Sequence, residues 1–278
     1  FALGVDSVGG AFETAGRQKI TPPDPEIPQD TEAAAFFDVD NTLIQGSSLI
    51  LLAQGLFKKR FITLSELAPA LRKQIRYRVS GSENADDIAE GREQALAVVK
   101  GKSVAELKQA CREIVDNRML EKSYADTIEL AAMHLAAGQQ VWLVSATPVQ
   151  IGQALAETLG FTGALGTVAE EKDGKFTGRL VGDILHGPGK KHAVAALAAL
   201  QQLDLSKCTA YSDSINDLPM LEMVGSPVAI NPDRALRKHA KAQGWAVRDY
   251  RSVRRVVRAG VVPAVLAGAG LWWWRRRR

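Results

Sequence analysis

Residues Ala33 to Ile44, reading Ala-Ala-Ala-Phe-Phe-Asp-Val-Asp-Asn-Thr-Leu-Ile, constrain this chain more than any other stretch. The uninterrupted apolar front half predicts a strand buried on both faces of a parallel sheet. The run ends on two carboxylates, Asp38 and Asp40, with Thr42 two positions further on. Ligands of open α/β sheets bind at the carboxyl ends of strands, so these groups emerge where a ligand can reach them. Two carboxylates this close repel unless a cation lies between them or their proton affinities split. Alone, the pattern also reads as a helix N-cap or a solvated turn, and the rest of the chain has to decide.

The 278 residues suffice for one large domain or a core with an insertion. The net charge of +4 is unevenly placed. Residues 1–32 carry six acids against Arg17 and Lys19, giving −4, and residues 248–278 carry nine arginines against one aspartate, giving +8. The remainder is neutral, which argues against a nucleic-acid binder with a basic folded face. A basic end beside an apolar run suggests a membrane surface instead. Cys111 and Cys208 lack metal-type spacing and read as small buried hydrophobes. The first residues show no basic-then-apolar signal pattern, so the expected location is cytoplasmic.

Residues 1–32, Gly-rich and then Pro-rich, read as a disordered leader. The α/β core is expected over 33–46 and 122–250. Residues 47–121 form a helical block, with starts at Ser47-Ser48 and helices over Leu64–Val79, Asp86–Lys100 and Val104–Arg118. The core resumes with helix Ala125–Ala137, strand Val141–Val144 and helix Val149–Leu159. A hairpin with an Asp-Gly turn lies within 164–181. Gly187-Pro-Gly-Lys190-Lys191 opens an Ala-rich helix to Gln202; strand Thr209–Tyr211, a helix at Leu218–Met223, strand Val228–Ile230 and helix Pro232–Gln243 follow. The alternation predicts a doubly wound parallel sheet, Rossmann-like, with an inserted all-helical cap.

Four loops of such a fold bring polar groups to one sheet edge. They carry Asp38, Asp40 and Thr42; Ser145; Lys190; and Asp213, Asn216 and Asp217. A phosphate dianion with Mg2+ needs this inventory: acidic oxygens for a hard cation, a lysine, and hydroxyl and backbone N–H donors. His186, His192 and His239 show no ligand spacing, His134 reads as a packing or surface residue of its helix, and Trp142 reads as core.

With these four motifs in order, the sequence over about residues 34–250 resembles the haloacid dehalogenase superfamily, in its phosphoserine-phosphatase-like branch. The resemblance implies a phosphomonoester hydrolase with Asp38 as nucleophile and Asp40 as general acid and base. It implies Mg2+ on Asp38, Asp213 and the backbone carbonyl of Asp40, with Thr42, Ser145, Lys190 and Asn216 on the phosphate and Asp217 orienting the metal shell or the lysine. The family pattern favours Lys190 over Lys191.

Phosphoserine phosphatases carry a glutamate shortly after the nucleophile motif and a cap arginine, for the substrate's ammonium and carboxylate. Here the first stretch is Gln45-Gly46-Ser47-Ser48, and the second position falls near Ala95, with Arg92 closest. Loss of such partners costs orders of magnitude in discrimination, which argues against phosphoserine. The sixteen uncharged residues 259–274, ending in three tryptophans and followed by four arginines, approach the ~20 apolar residues of a spanning helix. The tail is thus a candidate membrane anchor, with a lysophospholipid as the corresponding substrate and a soluble phosphorylated metabolite as the other. Two alternatives share these motifs: a phosphotransferase with an alcohol acceptor, and a membrane-tethered non-catalytic binding module.

Overall fold

The structure, a computed structural model, describes residues 31–63, 96–182 and 184–251. The leader up to residue 30, the helix expected at Leu64–Val79, most of that at Asp86–Lys100, and the tail from residue 252 lie outside the described residues.

Strand β1 (Ala34–Asp38) is buried at all five positions. Its side chains alternate: Ala35 and Phe37 enter one core cluster, Ala34 and Phe36 the other. On one side β1 pairs with β2 (Gln140–Pro148), which pairs in turn with β3 (Gly163–Thr167). The hairpin strands β4 (Ala169–Lys172) and β5 (Lys175–Leu180) form a separate two-stranded sheet. On the other side β1 pairs with β6 (Thr209–Ser212), followed by β7 (Ser226–Ile230) and β8 (Ala246–Arg248). The order β3-β2-β1-β6-β7-β8, parallel throughout, is the doubly wound sheet expected from the alternation. The chain winds away from β1 in both directions, so a crevice opens at its carboxyl end.

Helices cover both faces. On one face lie α3 (Ala125–Ala136) and α4 (Val149–Leu159), with α1 (Ser48–Lys58) and α2 (Val104–Ile114) packed on each other and, through α2, on α4; together they contribute Ala131, Leu155, Leu52 and Leu107 to one core. On the other lie α5 (Pro188–Gln201), the short α6 (Leu218–Leu221) and α7 (Arg234–Gln243), contributing Val194, Met220 and Leu236. Burial of the leucines, Val194 and Met220 among these is worth about 1.5–3 kcal/mol each. Ends follow local chemistry: Ser103 Oγ accepts from Glu106 N at the start of α2, and Gly160 closes α4 at φ 69°.

Several expectations need correction. The strand expected to end at Val144 continues to Pro148, with a register shift against β3 between those residues. Strands β3 and β8 were not foreseen: β3 carries two glycines, and β8 has three residues. The helix expected over Val104–Arg118 is α-helical only to Ile114, then runs through a π-helical turn (Val115–Met119) and a 3-10 turn (Leu120–Lys122) into Ser123. Cys111 and Cys208 are both buried and form no disulfide, in keeping with their reading as small hydrophobes.

The hairpin turns at Asp173-Gly174, both at positive φ (52° and 74°). It does not stand alone. Gly101 N donates to Phe176 O at 2.8 Å, Phe176 N to Lys102 O at 3.1 Å, and Val104 N to Gly174 O at 3.0 Å. The entry to α2 thus runs as a third partner along the hairpin, with Phe176 buried beneath it.

Candidate active site

The last residue of β1 is Asp38, and its backbone pairing with Val144 puts it at the open end of the sheet. Both its oxygens are engaged: Oδ1 accepts from Lys190 Nζ at 2.6 Å, and Oδ2 from Thr42 Oγ1 at 3.1 Å. Lys190 stands in the first turn of α5, where Gly187 adopts φ 50° and ψ −119°, a backbone region that suits glycine. Its Nζ also donates to Asp217 Oδ2 at 2.7 Å. Asp217 Oδ2 takes a further bond from Ser212 Oγ at 2.7 Å. The structure therefore links Asp38, Lys190 and Asp217 into one buried chain, while Lys191 is exposed.

Ser145, Asn216 and Asp213 line the same cleft as Asp38, Asp40 and Lys190. Ser145 Oγ lies 2.8 Å from Thr147 Oγ1, and Thr147 itself lines the cleft. Thr42, expected among the phosphate ligands, is fully buried, and its hydroxyl is turned onto Asp38. It sits where it orients that carboxylate, because the loop after β1 folds back with Leu43 N and Ile44 N both donating to Val39 O.

Four carboxylates and one lysine line the cleft. Burial, reinforced by Asp217 and Asp40 and opposed by Lys190, pushes Asp38 up to about 7. Burial, with Asp38 and Asp217 adding to it and Asn41 and Lys190 opposing it, pushes Asp213 up to about 8. For Lys190 burial disfavours the charge, but the facing carboxylates of Asp38 and Asp217 more than offset it and hold the ammonium protonated. Among the described residues no three His, Cys, Asp or Glu side chains converge as a ready metal cluster. A Mg2+ ion asks for less, commonly one or two carboxylates with waters completing the shell. The acidic pair Asp38 and Asp213, in a cleft with more negative than positive groups, fits such an ion by the chemistry of its donors.

Several residues of this site were not singled out from sequence. Ser48, fully buried, donates from both its N–H (2.9 Å) and its hydroxyl to Asp40 Oδ1. Asn41, at φ 55°, accepts from Gly46 N at 3.1 Å, and its side chain favours the charged form of Asp213. Asn231, buried after β7 at φ 48°, donates to Asn41 O at 3.0 Å and accepts from Tyr250 N at 2.8 Å. Asp233 caps α7 through Leu236 N at 2.7 Å and also takes Ile215 N at 2.8 Å, holding the loop of Asp213 to Asp217. The only signal in sequence was that Asn tolerates positive φ and Asp favours helix starts. His186, given no role from sequence, lies on the cleft wall with Ser47 and Leu49. His134 lies away from the cleft, between Gln139 and Tyr211.

Comparison with known proteins bears on the fold and the family. A family model described as haloacid dehalogenase-like hydrolase matches residues 35–222. The phosphoserine phosphatase SerB1 of Mycobacterium tuberculosis is 52% identical over 246 residues, covering 88% of this chain and 80% of that protein. A histidinol-phosphatase of Neisseria meningitidis is 32% identical over 221 residues, covering 78% of this chain and 98% of that one. The crystal structure of a Bordetella pertussis protein of unknown function superimposes with a TM-score of 0.69 at 30% identity, over 79% of this chain and 99% of that chain. The chain belongs to the haloacid dehalogenase-like hydrolase family.

Proposed function

We propose that this phosphatase of the haloacid dehalogenase type hydrolyses a small phosphomonoester through an aspartyl-phosphate on Asp38. The observation that carries this reading is the buried chain Asp38–Lys190–Asp217 at the carboxyl end of β1, with Asp40 two residues on and facing the same cleft. A carboxylate oxygen of Asp38 forms a bond to phosphorus as the bond to the leaving oxygen breaks, and that oxygen takes a proton from Asp40. Water then gives its proton to Asp40 and attacks phosphorus, which releases phosphate and restores the Asp38 carboxylate. Lys190, Ser145 and Asn216 offer donors to the phosphoryl oxygens, and Asp217 keeps Lys190 in place. Mg2+, held by Asp38, Asp213 and the backbone carbonyl of Asp40, would supply charge neutralisation at the phosphoryl group. We read the insertion 47–121, from which Ser47 and Leu49 line the cleft, as the cap that excludes bulk water.

The names of the relatives point to two substrates, phosphoserine and histidinol phosphate, whose leaving groups both carry an amine. In this chain residues 45–48 carry no carboxylate to meet one, and Ser47 stands on the rim instead. The substrate class we assign is a phosphomonoester not recognised through that position. The test is phosphate release with Mg2+ from p-nitrophenyl phosphate, phosphoserine, histidinol phosphate, glycerol phosphate and lysophosphatidate in vesicles, for wild type and Asp38→Asn. Turnover that disappears with EDTA and in the variant supports the reading, and retained turnover in Asp38→Asn refutes it. Lysophosphatidate as preferred substrate would point to the 259–278 tail as a membrane tether. Among the described residues no helix is long and apolar enough to cross a membrane.

A further inference from the structure

We propose that Ser48 is the positioning residue that selects which oxygen of Asp40 carries the transferred proton. The inference rests on the phosphatase reading of the site and goes beyond it by assigning a role to the first residue of α1.

Ser48 is fully buried, and a buried hydroxyl needs a partner. Its hydroxyl and its own N–H both donate to one atom, Asp40 Oδ1, across eight positions of sequence. Among the described residues no protein group bonds Asp40 Oδ2, and Asp40 lines the cleft. Two donors occupy Oδ1, so the proton that moves to the leaving oxygen and is later taken from water sits on Oδ2. The two bonds also fix the carboxyl plane, which holds Oδ2 at one place relative to Asp38. Proton transfer depends on such placement to within a fraction of an ångström.

The arrangement has a second aspect. The N-cap residue of α1, Ser47, makes no side-chain cap bond. The first N–H of this eleven-residue helix is instead satisfied by Asp40. The carboxylate therefore occupies the positive end of the α1 dipole, and the position of the insertion's first helix is transmitted directly to the proton donor. Leu49, the next residue, lines the cleft.

A residue that merely capped α1 would lower the amount of folded enzyme and treat all esters alike. A residue that aims the proton donor matters most where the leaving oxygen needs that proton. An alkyl phosphate leaves as a strongly basic alkoxide, whereas p-nitrophenyl phosphate leaves as a stabilised phenolate that needs little protonation. The experiment measures kcat/KM for the alkyl ester that wild type turns over best and for p-nitrophenyl phosphate, in wild type, Ser48→Ala and Ser48→Thr. Alanine keeps the backbone N–H and loses only the hydroxyl. The expected result is a fall of about 10- to 100-fold on the alkyl ester, set against the ~10²–10⁴ span of general acid catalysis, and a distinctly smaller fall on the aryl ester. Ser48→Thr, which keeps the hydroxyl, should return the ratio of the two esters toward that of wild type. The ratio is independent of how much of each preparation is folded. An equal fall on both esters, no fall on either, or a threonine variant with the alanine ratio would overturn the assignment. If wild type itself turns over neither ester, the phosphatase reading falls and this proposal with it.

Discussion

Replacing Lys190 by methionine keeps most of the side chain's bulk and removes its charge. In the native protein Nζ lies 2.6 Å from Asp38 Oδ1 and 2.7 Å from Asp217 Oδ2, and all three side chains are at most 8% exposed. At an effective dielectric constant of about 20 each contact attracts by about 6 kcal/mol, most of which is cancelled by desolvation. What remains when one partner is stripped from a buried pair is a loss of about 3–5 kcal/mol, because two carboxylates are left facing each other without a counter-ion. For a domain of this size, at about 2–4 °C per kcal/mol, the midpoint should fall by roughly 6–20 °C. Thermal unfolding in EDTA, followed by circular dichroism, reads this without metal. The sign of a second substitution sharpens the test. Asp217→Asn should destabilise the wild type, where it removes a partner of Lys190, and should stabilise Lys190→Met, where it removes a repelling carboxylate. An Asp217→Asn effect of the same sign and size in both backgrounds, or a Lys190→Met midpoint within a degree or two of wild type, would refute the reasoning. Turnover should fall by at least about 10²-fold if, as proposed, the lysine also donates to the phosphoryl group.

Two further outcomes follow from other parts of the molecule. His134 is buried, and burial, with Arg248 adding to it and Gln139 opposing it, holds its pKa below the usual histidine range. The folded state therefore binds less proton there than the unfolded chain. The stability that the neutral ring contributes is full above about 6.5 and is lost as pH falls toward the lowered value. The stability gap between wild type and His134→Gln should accordingly narrow from pH 7 to pH 5 in denaturant titrations, and a constant gap would count against it. Gly166 is the other: a Cβ there would lie 2.7 Å from Val149 Cα and 2.9 Å from Thr147 O. Gly166→Ala should cost about 1–3 kcal/mol in stability, and by displacing the segment of Ser145 and Thr147 it should raise KM, both measurable on one preparation.

The sheet and its polar edge were legible because their signals are local and strong. Five consecutive apolar residues running into Asp38 can be little other than a buried strand meeting solvent. Strand β3 was not legible because its glycines resemble a turn. They are there for close approach: a Cβ at Gly163 would lie 2.6 Å from the Trp142 ring. The burial of Lys190 and the exposure of Lys191 depend on how α5 is rotated against β1, which a sequence does not state. Ser48, Asn41 and Asn231 escaped for a related reason. Each is an ordinary polar residue whose importance comes from one bond to a distant loop, such as Asn231 to Asn41 O across 190 positions. Asp40 carries a further lesson. The helix-cap reading of Asp-x-Asp and the active-site reading looked like rivals in the sequence, and the structure gives one carboxylate both positions.

The clasp between the hairpin and residues 101–104 bears on how this chain can be recombined with its relatives. A hairpin exchanged by itself would leave Gly101 N, Lys102 O and Val104 N to find new partners. Gly178, at φ 86°, would also have to be matched, because a side chain there would begin 3.0 Å from Lys100 Cδ. The heritable module is therefore discontinuous: two stretches some seventy positions apart along the chain, joined by backbone bonds, that chimeras must take or leave together.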